Sequence, residues 1–230
     1  MSNPAVTNST ILSPPHHTPR PTGLEPAALY DLGHTIATLH RLARDFPLPA
    51  ARPFRAGFYY DARLVIDHRT WLAQPHAARN AGQSAIVDAA ITYVLDAFAH
   101  MANDPAHTGL LHADIHLGNL ILAGDRVALI DFEQLGWGHF AYDLAVLYAD
   151  LAYNAPDTAQ HWPALLAGYQ SVAPLPYDTA ADFAALLAAV HLAFLDWVYN
   201  AESPAVWQQQ SPRIPAVYAA LTAILHDARA

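Results

Sequence analysis

Apolar residues recur at steps of three and four along most of this chain, and those steps predict helices. Leu29, Leu32, Ile36, Leu39 and Ala43 mark one face of a helix over 26–44, with Pro26 in its first turn. Ile86, Ala90, Val94, Ala97 and Met101 mark a second over 84–102, capped by Ser84 and ended by Asn103-Asp104-Pro105. From residue 139 onward the same period predicts helices over 139–153, 159–172, 179–201 and 213–228. The middle of the chain breaks this rhythm. "NLIL" (119–122) and "VALIDF" (127–132) are short runs of Leu, Ile and Val separated by Ala-Gly-Asp-Arg, which predicts a β-hairpin buried on both faces. Residues 1–26 hold six prolines and read as an irregular leader, with Ala5–Leu12 as a strand fragment. Residues 45–60 read as a Pro-rich loop, followed by a short helix around 61–72. The outline is mainly α with one small hairpin and no internal repeat.

Composition narrows the classes this outline can serve. The chain has 230 residues, 53% of them hydrophobic and only 13% charged, enough to build a core. The net charge is −9 with no Lys/Arg cluster, so there is no electrostatic footprint for a nucleic-acid backbone. The absence of cysteine removes disulfides, thiolate metal sites and thiol catalysis, and fits a cytoplasmic protein. No signal peptide is visible. The longest apolar run, 183–199, carries His191 and Asp196, and reads as a buried helix rather than a membrane span. All 11 basic residues are Arg.

Against this apolar background, "LLHADIHLGNLIL" (110–122) concentrates polar groups that are costly to bury without partners. A two-residue turn centred on Gly124-Asp125 sets 118 opposite 131 and 119 opposite 130. Asn119 and Asp131 then emerge at one end of the hairpin, with Asp114 on the loop beside them. Oxygen ligands of this kind suit a hard cation such as Mg²⁺. An amide and a carboxylate on the metal, with a second carboxylate facing a hydroxyl, is the division of labour in phosphoryl transfer. A different class stays open: His112, Asp114 and His116 at alternate positions read equally as ligands of a metal-dependent hydrolase.

"HADIHLGN" has the spacing His-x-Asp-x-x-x-x-Asn, and "IDFE" follows the hairpin as Asp-Phe-Gly does in kinases. With "DLGHTIATLHRL" before and "GWGHFAYDLAVLYADL" after, the chain resembles the aminoglycoside phosphotransferase/choline kinase-like family over about residues 27–155. The resemblance implies the C-terminal lobe of a protein-kinase-like fold over 27–230, with the catalytic loop and metal hairpin at 110–133 and a helical acceptor region at 139–228. It implies Asp114 as catalytic base, and Asn119 and Asp131 as ligands of Mg²⁺ carrying ATP or GTP. It also implies a small hydroxylated acceptor such as an aminoglycoside, choline or homoserine. His112 would brace the loop, His116 would line the phosphate site or fill the loop, and Asp143 would hold the loop backbone. Ala113 departs from the family's usual Gly and is strained if its φ is positive.

The family's small N-terminal lobe, with its sheet, phosphate-covering loop and Lys, has no counterpart here. Only the Pro-rich residues 1–25 precede the first helix, and the chain has no Lys. The expectation is a C-terminal lobe whose N-terminal β lobe is missing or vestigial. It is then a fragment of a longer reading frame, a chain served by a separately supplied N-lobe, or a catalytically weak binding module. Arg55 is the alternative cation, a poor exchange for Lys. His34, His40 and His191 read as packing or surface residues, and Trp71, Trp137, Trp162, Trp197 and Trp207 as core or groove-lining residues. Asp196 and Glu202 read as a solvated helix edge ahead of a cation-binding one.

Overall fold

A computed structural model of the chain describes residues 24–44, 59–64, 80–101, 106–201 and 203–229. The leader, most of the 45–60 loop and of the 61–72 helix, the Asn103-Asp104-Pro105 stop, Arg55, Trp71 and Glu202 lie outside the described residues. The helices are α1 (Pro26–Arg44), α2 (Ala81–His100), α3 (Ala141–Asn154), α4 (Pro156–Ala159), α5 (Trp162–Gln170), α6 (Ala180–Tyr199), α7 (Pro204–Gln210) and α8 (Ile214–Asp227). The strands are β1 (Tyr59–Tyr60), β2 (Thr108–Leu111), β3 (Leu120–Ala123), β4 (Arg126–Leu129) and β5 (Gly136–His139). Helical turns at 204–213, with the 3₁₀ turn Ser211–Arg213, extend the C-terminal region beyond the predicted 213–228 helix.

The helix starts correct one expectation. Ser84 is not the cap of α2. Asn80 accepts the Gln83 N–H at 2.9 Å while the Gln83 side chain accepts the Asn80 N–H at 2.9 Å, a reciprocal capping box worth about 1 kcal/mol. Thr179 and Asp182 do the same for α6.

Helix α3 is buried on two sides and joins two cores. Leu144, Leu147 and Leu151 pack with Leu29, Leu32 and Ile36 of α1, Ile115 and Leu117 of the loop, and Leu165 of α5. Ala141, Tyr142 and Ala145 pack with Val87, Ile91 and Val94 of α2, and with α6 and α8. Among the described residues, α6 is the one helix long and apolar enough to cross a membrane; its Leu186, Ala188, Ala189, Leu192 and Leu195 are fully buried in this second core.

The hairpin β3–β4 has the predicted register, Leu120 opposite Leu129 and Ala123 opposite Arg126. It is not buried on both faces. Leu120 and Val127 are covered, but Ile121 is 43% exposed and Leu122 37%. On the covered side, Asp31 of α1 accepts the Val127 N–H at 2.7 Å and pairs with Arg126 at 3.2 Å. A second sheet, unannounced by the sequence pattern, runs in the order β1-β5-β2, with β1 parallel and β2 antiparallel to β5. It carries the chain into the loop that follows Leu111.

Two glycines let α1 and α5 cross backbone to backbone. A Cβ on Gly33 would sit 2.0 Å from the Leu165 carbonyl oxygen, and one on Gly168 would sit 1.9 Å from that of Tyr30. No rotamer relieves a backbone clash, so the helices would have to separate. Gly33→Ala or Gly168→Ala is expected to cost about 1–3 kcal/mol, as overpacking does. In a chain of this size that lowers the thermal midpoint by several degrees, measurable by circular dichroism. An unchanged midpoint would show that the crossing is looser than described.

Candidate active site

The loop after β2 is fastened at its start by one buried carboxylate. Asp143, in the first turn of α3, is fully buried. Its Oδ1 accepts the Ala113 N–H at 2.6 Å, and its Oδ2 accepts the His112 N–H at 3.1 Å. The same Oδ2 lies 2.9 Å from Nε2 of His40, whose Nδ1 lies 2.9 Å from the Tyr169 hydroxyl. A neutral ring satisfies both contacts in one tautomer: Tyr169 donates to Nδ1, and Nε2–H donates to Asp143. Burial, and then the negative charge of Asp143, push the Tyr169 phenol up and keep that proton in place. His40 also stacks on Phe140, ring centroids 4.5 Å apart.

Held this way, Ala113 takes φ 64, the left-handed region its missing family glycine would enter without cost. Asp131 takes φ 65. These are the only non-glycine residues with positive φ among the described ones, and they bracket the polar cluster.

His112 is fully buried. Its Nε2 donates to the Ile130 carbonyl at 3.0 Å, which ties the loop to the end of the hairpin, and its ring lies 4.5 Å from that of Phe132. Asp114 is half-buried, and Asn119 is 6% exposed. The Asn119 amide Nδ2 donates to the Asp114 main-chain oxygen at 2.9 Å and to its carboxylate Oδ2 at 3.0 Å. The donor end of the amide is thereby committed, and what remains for a cation is its carbonyl oxygen. The Ile130 N–H donates to the Asn119 main-chain oxygen at 3.0 Å, so Asp131 follows at the open end of the hairpin, with its side chain exposed. The structure thus joins Asp114 to Asn119 directly and sets Asp131 at the same hairpin mouth without a hydrogen bond to either. His116 accepts the Gly118 N–H on Nδ1 at 2.9 Å, which leaves the proton on Nε2, 3.6 Å from Asp114 Oδ2.

Two tyrosines feel the charge of Asp114. Tyr60 of β1 donates its hydroxyl to the Gln134 carbonyl at 2.9 Å, and its ring is tilted against that of Tyr142, centroids 4.9 Å apart. Burial raises both phenols above their usual range, and the negative charges of Asp114 and Asp143 push the same way, so both keep their protons. Burial, and after it neighbouring His107, lowers His139 to about 4, so that ring is neutral at pH 7.

This geometry removes the hydrolase reading of His112, Asp114 and His116. His112 is turned away to Ile130, and no group of three or more His, Cys, Asp or Glu among the described residues could hold a metal ion. The oxygens near the hairpin mouth that could hold a cation are the Asn119 side-chain carbonyl and the Asp131 carboxylate. That donor set fits Mg²⁺, which uses one or two protein oxygens plus phosphate and water. Sequence reasoning missed His40, Tyr169 and Asp31. His40 lay inside a quoted motif but read as packing, because its carboxylate partner stands 103 residues away.

Comparison with known proteins bears on the family and the fold. The sequence matches the phosphotransferase enzyme family over residues 14–175. It is 29% identical over 193 residues to a homoserine kinase of Methylobacterium radiotolerans, covering 80% of this chain and 56% of that protein. The chain spans about half the length of the curated relatives it matches. A solved amicoumacin kinase bound to AMP-PNP and Ca²⁺ shares the fold at TM-score 0.63 and 15% identity, over 90% of this chain and 63% of that one. A microcompartment-associated aminopropanol kinase does so at TM-score 0.63 and 20% identity, over 88% and 61%. The match over most of its length settles the family: this chain belongs to the phosphotransferase enzyme family.

Proposed function

We propose that this chain is the catalytic lobe of a kinase that transfers the γ-phosphoryl group of ATP, or of GTP, to the hydroxyl of a small amino alcohol, with homoserine as the leading acceptor. The observation that carries the reading is the direct link of Asp114 to Asn119 at the mouth of the hairpin that ends in Asp131. The homoserine kinase relatives supply the acceptor.

In this reading the acceptor oxygen attacks the γ-phosphorus as the bond to the bridging oxygen breaks, and the nucleoside diphosphate leaves. Asp114 receives the hydroxyl proton through one carboxylate oxygen. Asn119 holds the other, so the carboxylate presents a fixed edge to the acceptor. His116 sets its Nε2–H 3.6 Å from Oδ2, the oxygen that Asn119 holds. Asn119 Oδ1 and Asp131 would hold Mg²⁺, which when bound neutralises charge on the phosphates.

The test is acceptor-dependent release of ADP by the purified chain with Mg²⁺ and ATP, comparing homoserine with choline and an aminoglycoside. Homoserine-dependent release, with phosphohomoserine seen by phosphorus NMR, is the expected result. A second reading rests on the chain's having no Lys to set against the phosphates. It is a lobe that binds nucleotide but transfers phosphate weakly. A rise in thermal midpoint with Mg²⁺-ATP but no transfer would favour it. The absence of both stabilisation and transfer, with every acceptor, would falsify both.

A further inference from the structure

Helix α3 carries a second inward carboxylate one heptad after Asp143. Asp150 is 9% exposed, and seven residues at 1.5 Å each place it about 10 Å further along the helix on nearly the same face. Its Oδ2 accepts the Leu117 N–H at 2.9 Å, and its Oδ1 accepts from the Asn154 side chain. Leu117 opens the 3₁₀ turn Leu117–Asn119, and that turn delivers Asn119. The loop from 112 to 119 is therefore gripped at both ends by one helix, by Asp143 at His112 and Ala113 and by Asp150 at Leu117.

A third element reaches this grip. Arg213, in the 3₁₀ turn before α8, places a guanidinium nitrogen 4.0 Å from Asp150 Oδ1. The guanidinium lies over the rings of Tyr153 and Phe194, 4.4 and 4.8 Å from their centroids, and the side chain is only 19% exposed. A carboxylate buried this far is costly unless it is paired and hydrogen-bonded, and Leu117, Asn154 and Arg213 together supply its partners. The turn it orients carries the amide that the proposed function puts on the metal.

We propose that Asp150 is a positioning residue that sets Asn119 for cation binding, with Arg213 fixing Asp150 from the C-terminal segment. The inference rests on the kinase reading of Asn119. Asp150 touches neither metal nor substrate and acts through the Leu117 amide. Partners one shell beyond a metal ligand typically change affinity by about 10- to 100-fold when removed, and a similar loss is expected here.

Two measurements on the full chain test this: amide hydrogen exchange at Leu117, and Mn²⁺ binding followed by water-proton relaxation. Asp150→Ala is expected to speed Leu117 exchange at least about 10-fold while amides inside α2 keep their parent rates, and to weaken Mn²⁺ binding about 10- to 100-fold. Asp150→Asn retains one acceptor for the Leu117 N–H and should fall between parent and alanine variant. Arg213→Gln, which leaves Asp150 in place, should shift both readings the same way by less. A purely structural role predicts a lower midpoint with parent-like Mn²⁺ affinity, and that result overturns the proposal, as does parent-like exchange at Leu117. Should the alanine variant not fold, the other two are read by the same criteria. Should the parent bind no Mn²⁺, the kinase reading of Asn119 fails, and Leu117 exchange alone then decides whether the grip exists.

Discussion

Asp114→Asn is expected to lower phosphoryl transfer by about 10²–10⁴-fold while leaving the fold in place. The substitution isolates the chemistry because it preserves the shape. An asparagine at 114 still offers a carbonyl oxygen to the Asn119 Nδ2 that now donates to Asp114 Oδ2 at 3.0 Å. Its main-chain oxygen, the other acceptor for that amide, is untouched. What disappears is the carboxylate proposed to take the acceptor's proton. The thermal midpoint should therefore stay within a few degrees of the parent, and nucleotide binding should persist. A tenfold loss in rate is about 1.4 kcal/mol of barrier, so a thousandfold loss assigns about 4 kcal/mol to that proton transfer and its electrostatics. Steady-state kinetics with saturating homoserine measures it. Turnover within threefold of the parent would remove Asp114 from the role proposed for it.

The parts of this molecule legible in the sequence are those whose information is local. The face of α1 repeats often enough that a single period specifies it, and the hairpin register follows from one turn. The β1-β5-β2 sheet was not legible for the opposite reason. Its strands are two to four residues long, too short for alternation to register, and β5 is "GWGH". Gly138 there is a tertiary choice: a Cβ would meet the Tyr60 carbonyl oxygen at 2.4 Å, and Tyr60 stands 78 positions earlier. The cap of α2 was misplaced although Asn80 and Gln83 are in plain view, because the apolar stripe was used to find the start and the first turn of α2 carries none of it.

At the site the same division holds. The spacing of Asp114, Asn119 and Asp131 could be projected from the hairpin, and Ala113 was marked as strained if its φ were positive, which it is. The exposure of Ile121 and Leu122 could not be foreseen, because apolar composition does not say which face finds a partner. Among the supports behind the loop, the hold of Asp143 on the backbone is implied by the family resemblance and is found, but its link through His40 to Tyr169 could not be foreseen. His40, Asp143 and Tyr169 come from α1, α3 and α5, and nothing local joins them.

Those supports carry the largest stability effect expected of a single substitution. Asp143→Ala removes the acceptor of three donors at once: the N–H groups of His112 and Ala113 and Nε2–H of His40. Asp143 is wholly buried, His112 likewise, and His40 is 2% exposed, so water does not readily replace the carboxylate. Each buried donor left without a partner costs about 1–3 kcal/mol. The left-handed Ala113, whose conformation costs about 1–2 kcal/mol, loses the bond that holds it. A loss of about 3–5 kcal/mol follows, comparable to breaking a buried ion pair. It corresponds to a thermal midpoint lower by roughly 10 °C. Asp143→Asn should not rescue it, since one carbonyl cannot serve three donors and the new NH₂ brings two more. His40→Phe gives the complementary measurement: it keeps a ring against Phe140 but removes one of the three donors. It should then cost less than the alanine variant, and a double-mutant cycle of the two should show strong coupling. Denaturant titration of the four proteins decides the matter. A loss under about 1 kcal/mol for Asp143→Ala, or additive effects in the cycle, would mean that the loop is held by something other than this carboxylate.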